Sequence, residues 1–457
     1  MKDLTSGNIY KAFFLFSIPL ILSSVLSQAF GIIDTSIAGL FLGSKGLAAL
    51  GASSAAIVVV EAFFWGMNAG IGVSLSGSFG ARDYEEFKKI VVSNRIFIFA
   101  VTSTLALLAI ILNGPILKFL NVEEVIYIDS RNYFILMFIN MPFALITHLY
   151  IYIFGAMGMS SFPMYISVAS SVINIVGNIL SVTVLDIGVI GLGLSTVIST
   201  IISFLLYTIK IRKCYQEMGV DKLSCRFKFK YVKRVFPAAI PNGVQQLSMY
   251  LAGFIISPIK NGLGYTAIAS LSIVGKVESM MSLFYGNCAR TISTYIPQCV
   301  GAKKYHKIKK AIGVSFIQSL VFVIPVMLVI WLFPQIICSL FFNSETEAEV
   351  IQNVVTYIKI FMPFMFFHAF SNAFHNVFRG LKNSTQLLIS TSLCSVASII
   401  FAFILCPIMG IKGYYLQAVL SWIIECIYIV IVYISGKWVP KPLRPMILGK
   451  KTSELSE

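Results

Sequence analysis

The sequence predicts an all-α polytopic membrane protein with twelve transmembrane helices in two pseudo-symmetric six-helix lobes. Three observations carry this expectation. Mean hydropathy is +0.86, with 57% hydrophobic and 12% charged residues, whereas soluble domains carry about 25% charged residues. Apolar residues gather in stretches of about 20 or more, the length that crosses a bilayer. The chain also repeats itself at an interval of 221 or 222 residues. A soluble enzyme, a disulfide scaffold and a disordered chain are excluded.

The first apolar stretch, Phe13–Leu42, follows a short tail holding Lys2, Asp3 and Lys11. It is too long for a signal-peptide core and lacks a small-residue cleavage site, so it is expected to stay in the protein. Pro19 removes a backbone donor near its start and is expected to bend the helix. Leu47–Phe79, Val91–Asn113, Tyr127–Phe154, Phe162–Leu185 and Gly188–Ile211 complete the first six. The second six are Val235–Ile259, Tyr265–Val300, Ile312–Phe342, Val350–Phe378, Thr385–Pro407 and Gly413–Ile434. Several exceed the minimum span, which permits tilt or a kink. The expected organisation is an N-lobe over 1–211, a basic cytoplasmic linker over 212–234, a C-lobe over 235–436 and a cytoplasmic tail over 437–457.

The net charge of +16 would suggest nucleic acid in a soluble protein. With the N-terminus in the cytoplasm, however, most of the 35 Lys and Arg residues fall on inward segments. These include Arg82, Lys88 and Lys89; Lys303, Lys304, Lys307, Lys309 and Lys310; Arg379 and Lys382; and the Lys210–Arg234 link. Outward turns hold Glu123, Glu124, Asp129, Asp186, Glu345, Glu347 and Glu349 instead. This is the positive-inside asymmetry. Basic loops facing anionic lipid account for the charge, and no nucleic-acid partner is expected. The eight cysteines, Cys338 among them, show no metal-ligand spacing. Cys214 and Cys225 share the cytoplasmic link, where thiols stay reduced.

The repeat is held by four unrelated landmarks. Ile18-Pro19 recurs as Ile240-Pro241, Gly80-Ala81-Arg82-Asp83-Tyr84 as Gly301-Ala302-Lys303-Lys304-Tyr305, and Met141-Pro142-Phe143 as Met362-Pro363-Phe364. Gly188 and Gly191 recur as Gly410 and Gly413. Six spans per unit bring both halves in from the same side, related by an axis along the membrane normal, as in many secondary transporters. No phosphate-binding glycine loop or soluble catalytic domain accompanies them, so active transport would draw on an ion gradient. No enzyme activity and no cofactor are expected.

Ionisable groups inside lipid cost about 2.5–3.5 kcal/mol on insertion scales, so each one needs a reason. Asp34 lies about eight residues, or ~12 Å, below the outward end of the first span. Asn178 in the fifth span and Thr196 in the sixth reach the same depth, and Asn174 is one turn from Asn178 on the same face. A carboxylate, two amides and a hydroxyl form an oxygen set for a proton or a small hard cation such as Na+. The bland alternative is an interior acid satisfied by structural hydrogen bonds. Ser24, Ser27, Gly31, Asp34 and Thr35 form a stripe expected to face the protein interior.

Elsewhere, Glu278 is a candidate counter-ion for Lys276, Arg290 or a substrate, with structural pairing favoured. His368 and His375 stand in the tenth span, and a lone His there is more often hydrogen-bonded than functional. Glu61 in the second span is equally open, and Glu425 is expected near the inner third of the twelfth, facing water.

Pro19, Asp34, the small-residue stretch Leu47–Ala52, the Gly80-Ala81-Arg82 turn and Gly188…Gly191…Thr196 together resemble the multidrug and toxic-compound extrusion (MATE) family. The resemblance covers essentially the whole chain, and the joint order of the motifs is what makes it specific. It implies export of organic, often cationic, compounds in exchange for H+ or Na+ by alternating access. In the DinF-like branch, the N-lobe cation and proton site falls on Asp34, Asn174, Asn178 and Thr196, with Pro19 as the bending proline. Asn178 departs from that pattern, since the branch has Asp there, and Phe30 stands where it often has Tyr. A single carboxylate favours protons over sodium. The C-lobe sodium site of another branch needs Glu where Met249 stands, so it is expected to be absent; His368 lies near that branch's acid in the tenth span. Phe30, Glu61, Lys276, Glu278 and His368 remain candidates for a substrate cavity or second site. A flippase for lipid-linked saccharides is the alternative, disfavoured because only Lys276 and Arg290 offer positive charge inside the spans; a non-transporting receptor or scaffold is the third. A monomer in the plasma membrane, contacting lipid and a small-molecule substrate, with both termini cytoplasmic, is expected.

Overall fold

The computed structural model describes residues 3–120, 122–335 and 348–449. Lys2, Cys338, Glu345, Glu347 and the end of the ninth apolar stretch lie outside the described residues. A helical stretch from Ile9 to Gly80 is broken at Gly43 (φ 65, ψ −165), a conformation open to glycine alone. The break separates α1 (Ile9–Gly43) from the helix ending in α2 (Ile57–Gly80), between the first two predicted spans. There follow α3 (Tyr84–Ile111), α4 (Glu124–Ala156), α5 (Ser161–Thr183) and α6 (Gly188–Glu217). The second half holds α7 (Phe229–Asn261), α8 (Tyr265–Gly301), α9 (Lys307–Leu332), α10 (Ala348–Gly380), α11 (Ser384–Met409) and α12 (Ile411–Ile434).

Eleven of these helices are long and apolar enough to cross a membrane. The seventh predicted span, α7, has the length, at 33 residues, but not that apolarity. The reason is a polar stripe of Asn242, Gln245, Gln246 and Ser248. Within it Asn242 bonds back to the Ala238 carbonyl, and Gln245 Oε1 accepts from Arg379 Nη2 at 3.1 Å. Pro19 sits inside α1, where the backbone stays helical.

The sequence repeat is a repeat of backbone devices. Arg82 and Lys303 both adopt positive φ (58° and 57°). The next amide in each copy bonds five residues back, Asp83 N to Ser78 O and Lys304 N to Cys299 O, which closes the helix end in the same way. Asp83 then caps α3 by accepting from the Glu86 amide at 2.9 Å. Gly188 and Gly410 open α6 and α12 with φ of 54° and 58°. Three residues on, a Cβ at Gly191 would lie 2.4 Å from Ser181 Cβ, and one at Gly413 would lie 2.3 Å from Leu405 O. The copies diverge at the prolines. Pro142 is carried inside an unbroken α4, whereas Pro363 follows a π turn, Tyr357–Phe361, and sits in a 3-10 turn, Met362–Phe364, within α10.

The chain divides into two compact units, the first built on Ile18–Gly243 and the second on Leu4–Ser17 with Val244–Glu457. In the first, Gly66 and Gly70 of α2 let α7 approach: a Cβ at Gly70 would lie 2.4 Å from Ala238 O. The buried Lys88 donates to the carbonyls of Val220, Asp221 and Leu223 at 2.7, 3.1 and 2.8 Å. Arg234 pairs with Glu86 at 2.9 Å. The basic link is thereby fastened along α3. In the second unit the N-terminal segment is held comparably: Lys304 and Lys307 donate to Thr5 at 2.7 and 2.8 Å, and Gln298 accepts from the Leu4 amide.

Candidate functional site

Three helices of the first unit bring the predicted oxygen set together. On α5, Asn174 and Asn178 stand one turn apart, so both amides project from one face. Asn178 is fully buried, and its Nδ2 donates to Asp34 Oδ1 of α1. Its second contact is Asn174 Oδ1 at 3.4 Å. Asn174 Nδ2 in turn donates to Thr196 Oγ1 of α6 at 3.2 Å, and Thr196 donates to the Leu192 carbonyl. All four predicted residues thus join one chain of hydrogen bonds, Asp34–Asn178–Asn174–Thr196. Gly177 permits it, because a Cβ there would lie 2.8 Å from Ser195 Oγ of α6.

The acceptor balance of this chain is uneven. Asn178 Oδ1 is buried without a hydrogen-bond partner among the described residues, although a buried acceptor left unmade costs about 1–3 kcal/mol. It lies on the amide that already serves Asp34. One side of the site is sealed by Ile37, Ala38 and Leu192, with Leu42, Leu50, Ile175 and Val182 packed round them. Asp34 itself is half-buried, while Ser27, Gly31 and Thr35 are exposed. The expected interior stripe on α1 is therefore confined to Asp34 and Ser24, with Ser27 fixed by Ser167 of α5 at 3.0 Å. Phe30 lies one turn before Asp34 and is half-buried. Glu61 of α2 does not join the hydrogen-bonded chain and is half-buried.

In the second unit Glu278 accepts a hydrogen bond from the Tyr357 hydroxyl, rather than pairing with Lys276 or Arg290 as the sequence favoured. Lys276 is exposed: two residues apart on α8, it and Glu278 point in different directions. His368 Nδ1 shares a hydrogen bond with Tyr285 Oη at 2.7 Å and its ring stacks on Trp422 at 5.1 Å. Glu425, expected to face water, is instead 1% exposed and meets His375 Nε2 at 2.8 Å. The helical phase of α12 turns it towards α10. His375 lies five residues from the end of α10 and Glu425 nine from that of α12, about 6 Å apart in depth, so no depth count in the sequence linked the two.

Comparison with known proteins agrees with this architecture. The MatE family model matches residues 19–180 and again 241–404, one match per repeat. The chain is 25% identical over 353 residues to the probable multidrug resistance protein YoeA of Bacillus subtilis, covering 75% of this chain and 76% of that relative. It is 21% identical over 407 residues to the multidrug export protein MepA of Staphylococcus aureus, covering 89% of each. Among solved structures, a MOP superfamily transporter from Pyrococcus furiosus superposes with a TM-score of 0.84 at 18% identity, over 97% of this chain and 98% of that one. The Vibrio cholerae MATE transporter VcmN in the bent form gives 0.83 at 18% identity, over 94% and 98%. At these identities the structures show the shared fold.

Proposed function

Since the chain belongs to the MatE family, a family of multi-pass membrane transporters and not of enzymes, we propose that it is an ion-coupled antiporter exporting organic cations or amphiphiles from the cell. Its relatives carry the names multidrug resistance and multidrug export protein, which supports that substrate class. We place it in the cell membrane as a monomer, with both termini in the cytoplasm because the basic segments lie on that side, and take its two six-helix repeats as the lobes of an alternating-access cycle.

The observation that supports the coupling is Asn178 Oδ1, without a partner among the described residues, beside Asp34. Ionised Asp34 accepts from Asn178 Nδ2. Once protonated, its O–H becomes a donor, and Asn178 Oδ1 is the acceptor waiting for it. The two protonation states use different bonds, so protonation exchanges one α1–α5 geometry for another. A small cation would be held by the same oxygens of Asp34, Asn174, Asn178 and Thr196. With one carboxylate in the set, the proton is the favoured coupling ion. Coupling follows because proton and substrate stabilise different states.

The test is dye efflux from proteoliposomes under pH and sodium gradients imposed separately. Asp34→Asn should reduce gradient-driven efflux to the leak rate while the protein remains folded and monodisperse. Undiminished efflux in that variant would remove Asp34 from the mechanism.

A further inference from the structure

A cavity of about 480 Å3 opens in the first unit between the start of α3 and the first turns of α7, and the Asp34 site takes no part in it. Its volume is in the range of small-ligand sites. The α3 wall holds Asp83, Glu85, Glu86 and Lys89, and the α7 wall holds Lys230, Tyr231 and Arg234. Local chemistry explains both walls. Asp83 is the N-cap of α3, with Glu85 and Glu86 in its first turn, where the helix dipole favours acids. Lys230 and Arg234 stand one turn apart on α7 and so share a face.

The charges do not cancel within the protein. Lys89 pairs with Glu85 and Arg234 with Glu86, each at 2.9 Å. That leaves Asp83 on one wall and Lys230 on the other, with no ion pair for either among the described residues. Asp83 spends Oδ1 on the Glu86 amide, and its second oxygen remains. The Lys230 ammonium is held over the Tyr231 ring, 5.0 Å from its centroid, a contact that places the charge without neutralising it. A lone anion in this cavity would face three carboxylates, and a lone cation would face three basic groups. A ligand with one charge of each sign answers both leftover groups.

The ground beside the cavity is apolar. Phe229, next to Lys230, packs its ring on Phe97 and Phe236 at 6.2 and 6.1 Å, yet it is exposed, as are Phe227, Ile96 and Phe99. An exposed apolar patch rimmed by polar groups marks a contact surface for membrane or partner. Here it adjoins the mouth of a charged cavity, the arrangement a phospholipid requires at the edge of a bilayer.

We propose that this cavity binds a phosphate–ammonium zwitterion of the phosphoethanolamine type, with its ammonium on Asp83 and its phosphate on Lys230. Both contacts are charge-assisted hydrogen bonds, and no covalent bond changes. The apolar patch makes an ethanolamine phospholipid the expected source, its acyl chains lying against Phe229. The site is separate from Asp34 and does not depend on the transport reading. General attraction of basic segments to lipid predicts something different: preference for anionic headgroups, and equal roles for every exposed lysine of α7.

The test is native mass spectrometry of the delipidated full-length protein in detergent. Phosphatidylethanolamine, phosphatidylglycerol and phosphatidylcholine with identical acyl chains are offered in equal amounts. Ethanolamine adducts should predominate, because the glycerol headgroup lacks an ammonium and the choline nitrogen has no N–H to donate. Asp83→Asn keeps the helix cap and should abolish the preference for ethanolamine over glycerol. Lys230→Gln should weaken ethanolamine lipid binding about fivefold, the upper range for a partly exposed ion pair. Lys233→Gln, exposed on the same helix but outside the cavity, should bind as the parent does. Soluble glycerophosphoethanolamine forms the second arm: binding that is lost in Lys230→Gln, without any selective lipid adduct, would assign the same site to a free phosphoamine. Equal losses in Lys230→Gln and Lys233→Gln, or a headgroup preference unmoved by Asp83→Asn, would overturn the proposal.

Discussion

Restoring a second carboxylate at the Asp34 site tests whether the acid count sets ion choice. In Asn178→Asp the new carboxyl group lies in direct contact with Asp34, where the amide now donates. Two unit charges about 3 Å apart repel by about 5 kcal/mol at an effective dielectric of about 20. That suppresses the empty, doubly ionised site by between three and four powers of ten. The site must therefore bind a cation or keep one proton shared between the two groups. Sodium binding then displaces a proton, so sodium affinity in the variant should rise with pH. The assay is efflux under a sodium gradient at pH 8 and pH 5.5, paired with radioactive sodium binding to purified protein. The variant should show sodium-driven efflux at least about tenfold above the parent at pH 8, fading at pH 5.5 as protons reoccupy the pair. A folded variant whose sodium response equals the parent's at both pH values would refute the idea that the missing carboxylate decides the ion.

Two further expectations concern the scaffold. Gly70→Val places a Cβ 2.4 Å from Ala238 O and 2.6 Å from Ala239 Cα, so α2 and α7 must part by about 1 Å, an overpacking cost of about 1–3 kcal/mol. Its monodisperse yield in size-exclusion chromatography should fall, while Gly313→Val, with nothing within 4 Å, should not change; equal yields would show that this approach is not tight. Lys88→Met leaves three carbonyls of the link without their charged donor, at about 2–3 kcal/mol for bonds of this type. Limited proteolysis should then cut near 220–223 well before the parent is cut, and unchanged resistance would mean that the link is held by other contacts.

Much of this protein was legible in one dimension because lipid imposes a one-dimensional rule. Backbone groups in a bilayer must be satisfied within the helix, so length and apolarity alone located twelve helices, with the break at Gly43 in its expected place. The seventh, α7, falls below the apolarity of the other eleven, because its amides find side-chain and backbone partners. Depth was legible too: counting residues from the span ends brought Asp34, Asn174, Asn178 and Thr196 to one level, and they share one hydrogen-bonded chain. Azimuth was not. Depth arguments fix a residue's height but leave open which neighbour it faces. That is why the sequence leaves Glu278 between Lys276, Arg290 and a substrate when it meets Tyr357, and turns Glu425 to water when it meets His375.

By itself, then, the sequence determined the helices, the repeat and the glycines and turns that carry it, since these depend on local backbone chemistry that recurs every 221 or 222 residues. Tertiary structure alone decided which polar groups meet. It left Asn178 Oδ1 without a partner among the described residues, beside Asp34, and fastened the basic link to Lys88. It also set Glu278 against Tyr357, His368 against Tyr285 and Glu425 against His375. Those pairings depend on the rotation of each helix about its axis, which is fixed by side-chain packing across helices distant in sequence and not by any signal within one of them.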